Sequence, residues 1–119
     1  MRVCIIGDSL SSLTLAKALV NLNINVSVLY EKKDVNLNKS RTIGISKTNI
    51  DFFNKHIVNI EKLLWKLKKI EIYSNNLKEE KLLNFENNNK QLFSILKNYE
   101  LYKLIEKNLQ KNKLFKKKL

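Results

Sequence analysis

Proline is absent from this 119-residue chain, glycine occurs only at positions 7 and 44, and there is one cysteine and one histidine. One cysteine excludes an internal disulfide. Cys4 sits in an apolar run, where a thiol is expected to behave as a small buried hydrophobe. His56 has no cysteine or histidine partner with which to complete a metal site. No apolar run approaches the roughly 20 residues that span a bilayer. The first apolar run, Val3 to Ile6, leads into turn residues without a small-residue cleavage site, so a cytoplasmic location is expected. Arginine is scarce as well: of 23 basic residues only Arg2 and Arg41 are arginine.

That scarcity bears on the formal net charge of +12. Such a charge suggests nucleic acid or an anionic membrane surface. Bidentate readout of bases favours arginine, however, and here the lysines accompany abundant asparagine and isoleucine. All three have A- and T-dominated codons, so a biased coding sequence accounts for them, and no nucleic-acid partner is expected. The terminal run Lys116, Lys117, Lys118 leaves peripheral association with an anionic membrane face open.

What is present is an ordered opening. Val3, Cys4, Ile5 and Ile6 run into Gly7, an alanine- and leucine-rich helical pattern follows, and an alternating strand from Val26 to Tyr30 closes on Glu31. A dinucleotide requires this order: a buried parallel strand that stops abruptly, a helix whose positive end meets the pyrophosphate, and an acid for the ribose. Glu31 follows Gly7 at close to the roughly 20-residue offset expected of that acid. The G-x-G-x-x-G pattern reads Gly7, Ser9, Ser12. Gly7 is retained at the tight turn, Ser9 offers a hydroxyl where the backbone approaches phosphate, and Ser12 is the next smallest polar choice for helix–strand packing. A plain βαβ unit in which Ser9 only caps the helix accounts for the same residues.

Downstream, Lys32 to Ser40 is a polar connection without glycine or proline, and Arg41 to Ile45 is a short extended segment. Ser46 is placed to cap a helix with Asp51 near its positive end and Ile50, Phe53 and Ile57 along one side. Ile60, Leu63, Leu64 and Leu67 have helical spacing, with Trp65 a packing residue beside them. Lys69 to Tyr73, Lys81 to Phe85 and Gln91 to Leu96 read as extended, with turns at Asn75-Asn76 and Asn87 to Asn89. A last helix begins near Asn98 and buries Leu101, Leu104, Ile105 and Leu109. The fold class is α/β: a Rossmann-like βαβ unit with additional strands and helices, 1–119 making at most one domain and read as an incomplete N-terminal portion of one.

The glycine turn, Glu31, the segment RTIGIS with Arg41, and the pattern Leu96-x-Asn98-x-x-Leu101-x-x-x-Ile105 resemble the N-terminal part of FAD-dependent aromatic hydroxylases. They are most similar to the ubiquinone-biosynthesis hydroxylases, and the resemblance covers nearly the whole chain. It implies that Gly7, Ser9 and Ser12 hold the FAD pyrophosphate and Glu31 the adenosine ribose. It further implies that Arg41 approaches the flavin's ribose and phosphate portion and that Asn98 lies near the flavin chain. Lys97 departs from the family, which has glutamate before that asparagine.

The implied reaction is monooxygenation: NAD(P)H reduces FAD, and one atom of O2 goes to the ring of a polyprenylated phenol, with association to the inner membrane face or a ubiquinone-biosynthesis complex. The family's catalytic and substrate-binding parts lie downstream in chains about three times as long, so no catalytic residue is assigned. The chain is read as truncated, its end near the start of the next strand of the cofactor sheet, and as inactive alone. A stand-alone FAD- or NAD-binding module and a basic interaction protein on a vestigial cofactor fold remain alternatives.

Overall fold

Val3, Ile5, Val26 and Val28 alternate with smaller or polar residues, and this period of two gives each of their strands one apolar face. In the protein's structure, a computed structural model, residues 1–31, 41–67, 69–73, 81–86 and 93–119 are described. Strand β1 (Arg2–Ile6) is followed by helix α1 (Leu10–Asn21) and strand β2 (Asn25–Leu29). The two strands are parallel, with Val3 opposite Val26 and Ile5 opposite Val28. The reversal from α1 into β2 uses no glycine. Asn23 adopts φ +63°, and the N–H groups of Leu22, Asn23 and Ile24 return to the carbonyls of Leu19 and Val20. Asparagine is the usual substitute for glycine at such a helix end.

The chain then leaves this sheet. β3 (Thr42–Ser46) leads directly into α2 (Lys47–His56), and a single 3₁₀ turn (Glu61–Leu63) precedes β4 (Trp65–Leu67). β5 (Lys69–Tyr73) and β6 (Lys81–Glu86) form an antiparallel pair. β7 (Phe93–Lys97) runs antiparallel between β3 and β4, and α3 (Asn98–Gln110) carries the chain back. β8 (Phe115–Lys118) then joins β2 in parallel, completing the order β1-β2-β8. One apolar cluster joins the two halves: Leu13, Ala16 and Val20 of α1, Val26 and Val28 of β2, Ile45 and Leu96 of the second sheet, and Leu101, Ile105 and Leu109 of α3.

Ser46 caps α2 as expected, accepting from the Asn49 N–H at 3.3 Å. Asp51 lies beyond the first turn and pairs instead with Lys47 at 3.9 Å. Three expectations are corrected. The spacing of Ile60, Leu63, Leu64 and Leu67 does not make a helix: one 3₁₀ turn gives way to β4, because β7 offers strand pairing and Asn54 accepts from the Ile60 N–H at 2.9 Å to fix the bend. Trp65 is 64 % exposed on β4 rather than packed. Cys4 is exposed, because β1 is the edge strand of its described sheet and Arg2, Cys4 and Ile6 lie on the face away from α1 and α3. The expected turns at Asn75-Asn76 and Asn87 to Asn89 fall outside the described residues, as does the start of the Gln91 segment. The next strand of the cofactor sheet, expected to begin only near the chain end, is present as β8.

Candidate nucleotide-binding site

The carboxyl ends of parallel strands are where α/β sheets bind ligands, and four of the six sequence-derived residues stand there: Gly7 just past β1, Ser9 and Ser12 at the start of α1, and Glu31 past β2. Gly7 leaves β1 at φ +102°, a conformation that L side chains rarely adopt. Its N–H donates to the Leu29 carbonyl at 2.6 Å, folding the turn across the end of β2. Ser9 is the N-cap of α1: its Oγ accepts from the Ser12 N–H at 3.3 Å and lies 3.1 Å from Ser12 Oγ. The N–H groups of Leu10 and Ser11, in the first turn, have no acceptor within a helix and carry its positive end. Glu31 is exposed just past β2.

Arg41 and Asn98 come together elsewhere. The Asn98 N–H donates to the Arg41 carbonyl at 2.9 Å, where β3 begins beside the end of β7. Asn98 Oδ1 is buried and has no hydrogen-bond partner among the described residues. A buried amide oxygen in that state is a ready acceptor for a ligand hydroxyl or N–H.

The link between the two places was not legible in the sequence. Tyr102 lies one helical turn after Asn98, on the same face of α3, and its hydroxyl donates to the Asp8 carbonyl at 3.0 Å. The Lys117 ammonium, on β8, reaches the Asp8 carboxylate at 3.3 Å and Glu106 at 3.7 Å, and stands 4.5 Å from the Tyr30 ring centre. The turn after β1, the end of β2 and helix α3 therefore meet on one lysine. The run Phe115 to Lys118 does not single it out in sequence; the pleat of β8 turns Lys117 toward the helices and leaves Lys116 and Lys118 exposed.

Burial raises the Tyr102 hydroxyl above its usual value. Burial works against the Lys117 ammonium, but Tyr102, Asp8 and Glu106 outweigh it and raise that group too. Both groups thus hold their protons more tightly in the folded chain. The associated stability is fully present below about pH 10 and is lost as pH rises through the folded values. The thermal midpoint is expected to fall above that pH, and to fall less steeply in a Tyr102→Phe, Lys117→Met double variant. An equal fall in both proteins would show that this cluster contributes nothing to the alkaline transition.

Beside the site, a groove of about 540 Å³ runs between α1 and the β3–α2 corner, with Leu15, Phe52, Ile43 and Gly44 among its walls. Among the described residues no group of acidic, histidine or cysteine side chains could hold a metal ion, and no helix is long and apolar enough to cross a membrane.

No protein-family model matches the sequence, and no curated protein matches it. Solved structures do match. The p-nitrophenol 4-monooxygenase PnpA of Pseudomonas putida superposes with a TM-score of 0.74 at 13% identity, over 97% of this chain and 30% of that one. HpxO of Klebsiella pneumoniae, solved with FAD and uric acid, gives 0.71 at 14% identity over 98% and 30%. The 2,6-dihydroxypyridine-3-hydroxylase of Arthrobacter nicotinovorans gives 0.68 at 14% over 98% and 28%. The chain therefore has the α/β fold of the N-terminal region of FAD-dependent monooxygenases and spans about 30% of the length of such neighbours.

Proposed function

We propose that the chain binds the adenosine and pyrophosphate half of FAD as part of a flavin-dependent monooxygenase. The carrying observation is the turn at Gly7: a glycine at φ +102° at the carboxyl end of a parallel strand, opening onto a serine-capped helix, with Glu31 past the neighbouring strand. FAD fits these residues. The first turn of α1 offers N–H groups to a pyrophosphate, the Glu31 carboxylate suits ribose hydroxyls, and the unsatisfied Asn98 Oδ1 beside Arg41 can accept from the flavin's side chain.

When bound and reduced by NAD(P)H, the flavin activates O2 for transfer of one oxygen atom to an electron-rich ring. The chain's own residues bind and orient. Gly7 brings backbone close to phosphate, Glu31 fixes the ribose, and Arg41 with Asn98 steers the chain toward the ring system. The resemblance of RTIGIS and of the Asn98 segment to the ubiquinone-biosynthesis hydroxylases supports a polyprenylated phenol as the substrate of the whole enzyme. The Ser9 side chain occupies the Ser12 N–H, which favours a second reading, a plain βαβ unit in which Ser9 only caps the helix.

Glu31 is followed in sequence by Lys32 and Lys33, with no arginine beside it to receive a 2′-phosphate. A carboxylate at that place accepts unmodified ribose and repels a phosphate. FAD, followed by quenching of its fluorescence, is therefore expected to bind more tightly than NADP, and NAD to compete better than NADP. Tighter binding of NADP than of FAD would overturn the assignment of Glu31.

A further inference from the structure

Asp8 is an awkward residue in this fold. It follows Gly7 directly, so a carboxylate belongs to the very turn that is to receive a phosphate anion. We infer that Lys117 is a positioning residue for the nucleotide: it neutralises Asp8 and holds that carboxylate toward α3 and β8, which lets the turn accept an anion. This rests on the nucleotide-binding reading above.

Four observations converge on it. The Lys117 ammonium is 3.3 Å from Asp8 Oδ2, and the two side chains are only 24% and 34% exposed, so solvent screens the pair less than it does a surface pair. Glu106 holds the ammonium from the α3 side at 3.7 Å. The Tyr30 ring lies under it at 4.5 Å, one residue before Glu31. Tyr102 fixes the backbone of the same turn through the Asp8 carbonyl. Lys116 and Lys118 are exposed and share none of these contacts among the described residues.

Charge compensation and simple scaffolding make different predictions for a ligand with phosphate and one without. The test is calorimetric titration of the 119-residue chain with ADP and with adenosine. Lys117→Met keeps the stem over Tyr30 and removes the charge. It is expected to weaken ADP by about tenfold or more while adenosine changes by less than about threefold. Asp8→Asn should leave ADP within about threefold of wild type, and the Asp8→Asn, Lys117→Met double variant should return to that range.

A double variant no better than Lys117→Met, or equal losses of ADP and adenosine, would make Lys117 a scaffold residue and overturn the inference. So would undiminished ADP binding by Lys117→Met. Should Lys117→Met fail to fold, Asp8→Asn decides alone: tightening of ADP beyond about tenfold would show that the carboxylate had not been neutralised. Wild-type protein that binds neither ligand overturns the nucleotide reading and this inference with it, whereas binding unaffected by Lys117→Met overturns only the inference.

Discussion

Gly7→Ala is expected to abolish measurable FAD binding and to lower stability by about 1–3 kcal/mol, the usual cost of a non-glycine residue in such a conformation. The cause is the backbone and not crowding. Among the described residues a Cβ at Gly7 would meet only Ser12 Oγ, at 3.8 Å, which is ordinary contact, but φ is +102°. Alanine must either bear the strain or relax toward negative φ. Relaxation breaks the bond to the Leu29 carbonyl and swings the first turn of α1 away from the end of β2. Ser9→Gly provides the contrast. Glycine is a tolerated cap, so that change is expected to cost only a few tenths of a kcal/mol and to free the Ser12 N–H, leaving FAD affinity equal or improved. Urea unfolding together with flavin titration measures both effects. Full FAD affinity in Gly7→Ala would remove the turn from the site.

The largest loss of stability is expected from Ile105→Ala. Ile105 is fully buried in the middle of α3, the helix that packs on α1 and also meets β7 and β8. Truncating a core isoleucine costs about 2–5 kcal/mol, against a total of about 5–15 kcal/mol for ordinary domains. Loosening α3 also loosens Tyr102 and Glu106, so nucleotide affinity should fall with stability although Ile105 lies outside the site. Ile105→Val, which removes one methyl group, should cost about 0.5–1.5 kcal/mol and keep binding. The midpoint of chemical unfolding measures this. An alanine variant as stable as the valine one would mean that the core closes around the gap.

The βαβ opening was legible because three independent signals agree over residues 2 to 31: a short apolar run, a helical apolar period and an alternating strand, with Gly7 between the first two. The last helix was legible for the same reason, its stripe of Leu101, Ile105 and Leu109 being buried, with Leu104 partly buried against them. Residues 60–67 misled because their apolar spacing satisfies a helix while pairing with β7 decides otherwise. Periodicity reports only local preference, and the strand that overrides it lies far along the chain. Cys4 misled for the opposite reason. An apolar run does not say whether its strand is central or at an edge, and β1 is flanked on one side only among the described residues. Of the candidate site, the positions of Gly7, Ser9, Ser12 and Glu31 along one βαβ unit followed from their spacing. Those of Asp8, Tyr102 and Lys117 did not, because three distant segments meet there.

The placement of β8 beside β2 governs how this molecule acquires its native form. β1, α1 and β2 are close in sequence and can associate early, whereas the third strand of their sheet is drawn from the opposite end of the chain. Parallel pairing over such a separation carries a loop-closure penalty and is slow. Docking of β8 also delivers Lys117, so the turn that carries Gly7 and Asp8 gains its lysine contact only when β8 pairs with β2. A ligand that recognised only the paired arrangement would draw the folding equilibrium forward by mass action, through the pairing of β8 with β2.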